Sequence, residues 1–370
     1  MNTMMQKKAG FFFDKCGEYG QALSSYLKCG EIQHAIDSAG KANNDLLTHR
    51  MIDFLMGETD GQTKDPSYVY ELYIALGKYA DAAKTAIIIA KQYQEIDGDY
   101  DAAHRTVYKT INALESHNVP VPRRLREMFV TLHTFEIVKI YARQKSDDHE
   151  EIARLLLRVA KFASGLPQHK IRILISTVIE CQKGCLRDSA REWATHICSS
   201  QDLKKELNRQ PKKLKTKIQS VVRRSNHGGA KEKKEMLSAC PISGSPIPVT
   251  QLECPVTKDM IPMCVCSGRH MELDDWCICP NSGLPALYSH YKRYIESNKV
   301  ESSNTNSSMT GCEQNDLDSN ISTLMQEGQY CAIDPVCKKQ VYVEGLKLIS
   351  PDEAKQYIRK YNEFGLVRDI

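Results

Sequence analysis

From Ala9 to about Leu203, apolar residues recur at the spacing of amphipathic helices. Ala83, Ala86, Ile87 and Ala90 fall at i, i+3, i+4 and i+7, as do Ile152, Leu155, Leu156 and Val159, and again Ile171, Leu174, Ile175 and Val178. Each set lines one face of a helix that buries that face against a neighbour. Asp147 and Asp148 offer caps for the second of these helices, which stops before Gly165-Leu166-Pro167. Pro120-Val121-Pro122 marks another break between helices.

The breaks repeat. Gly17-Glu-Tyr19-Gly-Gln-Ala22, Gly30-Glu-Ile32-Gln-His-Ala35, Gly77-Lys-Tyr79-Ala-Asp-Ala82 and Gly98-Asp-Tyr100-Asp-Ala-Ala103 share the pattern G-x-[YI]-x-x-A, and Gly184-Cys-Leu186-Arg-Asp-Ser189 is a looser copy. The pattern describes a helical hairpin: Gly ends one helix left-handed, Tyr or Ile anchors the turn, and Ala lets the next helix pack closely. The intervals of 13, 47, 21 and 86 residues are uneven, so the repeats are irregular and not a strict array.

Beyond residue 239 the helical pattern gives way to cysteine turns. Cys240-Pro-Ile-Ser243, Cys254-Pro-Val-Thr257 and Cys279-Pro-Asn-Ser282 each start like a zinc knuckle and end in a hydroxyl, and Asp334-Pro-Val-Cys337 is a further half-knuckle. Tetrahedral zinc needs four sulfur or nitrogen donors, and C-x-x-C presents two of them from one tight turn. Between the second and third turns lies Cys264-Val-Cys266-Ser-Gly-Arg-His270. If alternate turns share a metal in a cross-brace, Cys240 pairs with Cys264 or His270, and Cys254 with Cys279. A single regrouped zinc site drawn from Cys240, Cys254, Cys264, His270 and Cys279 is the other zinc-bearing arrangement. A metal-free turn set, held by the hydroxyls of Ser243, Thr257 and Ser282, stands beside them. Trp276 and Leu284-Pro-Ala-Leu287 supply an apolar core in every case, with Leu287, Tyr291, Tyr294 and Ile295 on a closing helix. A polar stretch beginning Glu301-Ser-Ser-Asn is expected to form a disordered insertion near 298–320. A strand is expected at Val341–Val343. The last helix opens with the capping box Ser350-Pro-Asp-Glu353 and buries Ala354, Tyr357, Ile358 and Tyr361.

Composition narrows the class. The formal charge is only +4, yet Lys204–Lys234 holds twelve Lys or Arg against two Glu, a local net of +10 that leaves −6 for the rest. That stretch has no aromatic residues to stack on bases, so it reads as a solvated helix and linker, with an acidic protein or an anionic lipid surface as the alternative partners, and nucleic acid is not expected. No transmembrane segment or signal peptide is apparent. Of fourteen cysteines, nine lie between Cys240 and Cys337 in a chain of 370 residues, which favours free or metal-bound thiols over a disulfide scaffold. His34, His104, His133, His169 and His196 are scattered without partners at ligand spacing, so no catalytic constellation emerges and the chain reads as no enzyme.

Several stretches resemble one family. Ile52-Asp-Phe-Leu-Met-Gly-Glu-Thr-Asp-Gly61, Lys64-Asp-Pro66, Ala82–Ala90, Ser176-Thr-Val-Ile-Glu-Cys181, Gly268-Arg-His270, Asp274-Asp-Trp276 and Pro285-Ala-Leu-Tyr-Ser289 are similar, in order, to the C-terminal part of the WD-repeat subunits of intraflagellar transport complex A. The resemblance implies a mainly α fold: an irregular tetratricopeptide-like α-solenoid followed by a small α+β cysteine-rich module of zinc-ribbon or RING-like type with degenerate ligands. The expected domains are a solenoid over 1–203, a basic helix and linker over 204–239, and the module over 240–370. Carried over by position, the family's knuckle ligands fall on Cys240, Cys254, Cys279 and Cys337, with Ser243, Thr257, Ser282 and Asp334 in the remaining places. The family carries WD-repeat propellers ahead of this region, so the chain is expected to be a fragment or a propeller-less paralogue. The implied role is a non-enzymatic scaffold in retrograde ciliary transport, cilium assembly and ciliary entry of membrane-protein cargo. Its implied partners are other complex A subunits and adaptors for ciliary membrane-protein cargo, in the cilium, basal body and cytoplasm. A RING or U-box-like ubiquitin ligase and a vesicle-coat or tethering subunit are the alternatives.

Overall fold

Helix follows helix as far as Arg223, as the apolar spacing predicts. The computed structural model describes residues 3–144, 147–223, 234–298 and 331–363. Its helices are α1 (Thr3–Lys15), α2 (Tyr19–Cys29), α3 (Ile32–Ala42), α4 (Asp45–Leu55), α5 (Ser67–Ala75), α6 (Tyr79–Gln92), α7 (Tyr100–Ser116), α8 (Arg123–Arg143), α9 (His149–Lys161), α10 (Lys170–Lys183), α11 (Arg187–Ser199), α12 (Gln201–Arg209) and α13 (Lys212–Arg223).

The repeated breaks form as the pattern requires. Gly17, Gly30, Gly77 and Gly98 all take left-handed backbone, with φ between 66° and 80°. The residue after each donates its N–H back across the turn: Glu18 to Phe13, Glu31 to Tyr26 and Lys78 to Tyr73, at 2.9–3.0 Å. This bond satisfies a carbonyl that the helix end leaves open. After α6 a π-turn, Tyr93–Asp97, adds one residue, and Asp99 therefore reaches back to Tyr93. The paired alanines Ala22, Ala35, Ala82 and Ala103 are fully buried.

The fifth copy is real but shifted by one residue. Cys185, not Gly184, holds the left-handed position (φ 61°), Leu186 makes the closing bond to Cys181, and the buried alanine is Ala190. Gly184 is small for another reason: a Cβ there would stand 2.9 Å from the Cα of Glu150. Close approach explains this glycine, not the turn.

Packing divides the chain into two units. The first runs through Leu132 and takes in Lys161–Arg172; the second comprises His133–Ala160 and Ile173–Asn362. The boundary expected at residue 203 lies inside α12, within the second unit. In the first unit α1 packs on α2, α2 on α3, α3 on α5, α5 on α6 and α6 on α7, the serial pairing of an α-solenoid. Leu23, Tyr26, Ile36, Met51, Leu55 and Leu72 form one core cluster there with the small residues Ala22, Ala35 and Ala39. The α6 face is turned slightly from expectation: Ile89 is buried with Ala82, Ala83, Ala86 and Ala90, while Ile87 is only half-buried. The faces expected on α9 and α10 are buried as read. Asp148 caps α9 by accepting the Glu151 N–H at 3.1 Å.

The second unit adds short sheets to helices. β1 (Leu237–Ala239) pairs antiparallel with β2 (Pro246–Pro248), β3 (Trp276–Ile278) lies between β4 (Pro285–Leu287) and β7 (Lys347–Leu348), and β5 (Cys331–Ile333) pairs with β6 (Gln340–Tyr342). Helix α14 (Tyr288–Ser297) buries Tyr291 and Ile295, and α15 (Pro351–Tyr361) carries the full capping box, with Ser350 and Glu353 bonded reciprocally. Trp276 is 1% exposed and meets the Tyr357 ring edge-on at 5.7 Å. The basic stretch becomes α12 and α13 up to Arg223, and the expected insertion near 298–320 lies, from residue 299 onward, outside the described residues. Among the described residues no helix is long and apolar enough to cross a membrane.

Candidate functional site

Five turns, not four, share one backbone design. Cys240, Cys254, Cys264, Cys279 and Asp334 each donate an N–H to the carbonyl five residues on, and each accepts an N–H from the residue four on, at 2.8–3.1 Å. The residue four on is left-handed every time: Gly244, Lys258, Gly268, Gly283 and Lys338, with φ from 60° to 73°. Two lysines therefore hold a conformation that L-residues seldom take, kept there by both hydrogen bonds. Such a loop points its first and fourth side chains to one side, which is how C-x-x-C grips a metal. Here the fourth side chains are Ser243, Thr257, Ser267, Ser282 and Cys337.

The third turn, Cys264-Val265-Cys266-Ser267, was hidden by Val265 in the usual proline place and by the extra cysteine. The pattern [CD]-x-x-[STC]-[GK] finds all five.

Consecutive turns pair, instead of the alternate pairing that a cross-brace needs. Cys240 and Cys254 pack together with Ile247 and Ile261 in one small buried cluster. Fourteen residues separate the first turn from the second, and the β1–β2 hairpin closes around the first. Cys254 Sγ accepts the Thr257 N–H at 3.5 Å. Burial pushes this thiol up, but hydrogen bonds from Thr257 and Ser243 outweigh it and bring it down to about 6.

The fourth and fifth turns meet around a carboxylate. Asp334 is fully buried; its Oδ1 accepts the N–H groups of Val336 (2.8 Å) and Cys337 (2.7 Å). Its Oδ2 accepts the Tyr291 hydroxyl, the Cys279 thiol (3.1 Å) and, at 3.5 Å, the Ser282 hydroxyl. Burial alone would raise Asp334, yet these donors, Tyr291 first, hold it below the ordinary carboxylate value. Burial and the Asp334 charge push the other way on the neighbouring thiols: Cys279 is raised, and Cys337 goes up to about 12. The knot is one anion surrounded by neutral donors.

The remaining candidates stand apart. Cys264 is buried and accepts the Leu287 N–H at 3.3 Å. His270 is buried too; its Nδ1 lies 3.1 Å from the Met271 carbonyl, its Nε2 has no partner, and burial lowers its pKa. Among the described residues no three of His, Cys, Asp and Glu gather where one metal ion would sit.

Tetrahedral zinc is a poor match for these donors. The first pair of turns offers two thiols and two exposed hydroxyls, and in the second the Asp334 oxygens already serve donors of the protein. A neutral hydroxyl does not replace a thiolate on zinc.

What the sequence did not announce is how tightly helices of the same unit grip these turns. His133 on α8 is fully buried, and its Nε2 lies 2.8 Å from the Val265 carbonyl. On α9, Glu151 pairs with Arg269 at 2.7 Å, and Arg154 bridges Glu150 (2.9 Å) and Glu235 (3.1 Å). Arg158 donates to the Thr250 carbonyl and to Thr134 Oγ1. Burial brings Arg158 down to about 10, which leaves it charged at neutral pH. A Cβ on Gly268 would stand 2.6 Å from Leu155 Cδ2, so the third turn sits directly on α9. A half-buried cation that donates to a carbonyl and a hydroxyl ties the turn region to its helices.

No protein-family model matches the chain. Among known proteins it is similar to WD repeat-containing protein 19 of Mus musculus, 39% identical over 296 residues, which is 78% of this chain and 21% of that protein. The corresponding Homo sapiens protein is 38% identical over 291 residues, 77% of this chain and 21% of its own length. The WD repeat-containing protein dyf-2 of Caenorhabditis elegans is 29% identical over 286 residues, 76% of this chain and 20% of that protein. The chain thus spans about a fifth of the length of the curated relatives it matches.

Proposed function

We propose that this chain, which over about three quarters of its length is a relative of WD repeat-containing protein 19, is a non-enzymatic scaffold subunit of intraflagellar transport complex A. In this reading it acts in retrograde ciliary transport, in cilium assembly and in ciliary entry of membrane-protein cargo, at the cilium and basal body and in the cytoplasm. The relationship to those proteins carries the reading. The serial helix packing supports it, because stacked helix pairs present long surfaces to protein partners.

The cysteine turns then serve shape, not chemistry. Hydrogen bonds take the place that zinc would hold, with Asp334 as the central acceptor of one turn pair and His133, Arg154 and Arg158 fastening the region to α8 and α9.

Affinity capture of the tagged whole chain from ciliated cells tests the reading. Other complex A subunits are expected in the eluate; a folded chain that recovers none of them overturns it.

A further inference from the structure

Polar groups without partners converge on one cleft beside the third turn. The cleft lies between the end of α8, the start of α9, the third turn and α14. Ser267 lines it, is 2% exposed, and its hydroxyl has no hydrogen-bond partner among the described residues. A buried hydroxyl left unmet is costly, so native structures seldom keep one without a use. Tyr141, His290 and Arg293 line the same cleft and make no hydrogen bond or ion pair among the described residues.

The charges point to the kind of ligand. Glu151 on the wall is already matched by Arg269 at 2.7 Å, whereas Arg293 makes no ion pair among the described residues. Burial, and after it the charges of Arg269 and Arg293, push His290 down to about 4. Its ring is therefore neutral at pH 7, even though Asp275 and Glu272 act the other way.

We propose that this cleft binds a single carboxylate presented by an acidic segment of a protein partner. The Arg293 fork takes the two oxygens, as guanidinium groups do with carboxylates, and the hydroxyls of Ser267 and Tyr141 donate to them. The Tyr294 ring flanks the acidic side chain. A dianionic phosphate fits less well, because Glu151 stands on the same wall. The inference rests on the cleft alone and does not depend on which complex the chain joins.

Fluorescence polarisation with the purified whole chain and a fluorescein-labelled decaglutamate peptide tests it, with decaglutamine as the neutral control. Binding of decaglutamate but not decaglutamine is expected. R293E, a change on the exposed face of α14, should weaken it at least tenfold with an unchanged thermal melt, and S267A several-fold. At equal ionic strength acetate should displace the peptide at least as well as inorganic phosphate. Three results would each overturn the proposal: no decaglutamate binding, equal binding by wild type and R293E (the peptide then being held by the basic helices α12 and α13), or displacement by phosphate alone.

Discussion

The imidazole of His133, buried on α8, donates its Nε2 hydrogen to the carbonyl of Val265, 2.8 Å away in the middle of the third cysteine turn. A carbonyl only accepts, so this nitrogen must carry the proton. His133→Ala removes the donor, opens a cavity and strands the carbonyl, and should cost about 2–4 kcal/mol. Urea unfolding followed by Trp276 fluorescence, with Trp193→Phe removing the other indole, reads the loss directly.

The same contact makes stability depend on pH. Burial pushes His133 down to about 4, against an ordinary value of 6.5. Between those values the unfolded histidine takes up a proton that the folded one refuses, so acid favours unfolding. The contribution is intact above pH 6.5 and is lost as pH falls toward 4, by about 3 kcal/mol in all. The stability gap between wild type and His133→Gln should therefore narrow by that amount from pH 7 to pH 4. A gap that stays constant would mean that His133 is not held neutral.

Asp334 should be the least replaceable residue of the turns. It is fully buried and accepts from two N–H groups, a thiol and the Tyr291 hydroxyl. Asp334→Ala leaves all of them unmet and should cost about 3–5 kcal/mol. Ser243→Ala, at an exposed hydroxyl, should stay within about 1 kcal/mol of wild type. Parallel urea titrations of the two variants decide the order.

Trp276 and Cys266 separate packing from cysteine chemistry. Trp276→Ala removes a side chain that is 1% exposed from between β3 and α15 and should cost about 3–5 kcal/mol. Cys266→Ala removes one buried sulfur and should cost about 1–2 kcal/mol. Because the indole N–H has no partner, Trp276→Phe loses packing alone and should fall between the two. Thermal melts by circular dichroism give the ranking, and equal melting points for the two alanine variants would contradict it.

The first turn pair has the backbone of a metal site but half its thiols. Ser243→Cys with Thr257→Cys should give it four converging sulfurs, and the double variant should take up one zinc per chain. Elemental analysis after gel filtration checks this, and no gain over wild type would show that the two turns do not face each other.

The helices were legible because their faces repeat over many residues and their turns share a glycine and an alanine. Even the shifted fifth copy fails in an instructive way: a glycine needed for clearance from Glu150 stood next to the residue that makes the turn. The turn chemistry was half legible. Proline at the second place marked four turns, while the third has Val265 there and was missed. Pairing of neighbouring turns depends on buried contacts such as Cys240 with Cys254 and Cys279 with Asp334, and a list of cysteines does not carry that information. Least visible was the grip of α8 and α9, since His133 and Val265 are 132 residues apart and His133 belongs to no motif.

In the proposed reading, hydrogen bonds and helix contacts, not metal, hold the cysteine turns in shape. Zinc content of the purified wild-type chain, measured by elemental analysis before and after a chelator, tests it most directly. Zinc well below one per chain and a thermal melt unmoved by the chelator are predicted; two zinc per chain, with a melt that collapses on their removal, would contradict it.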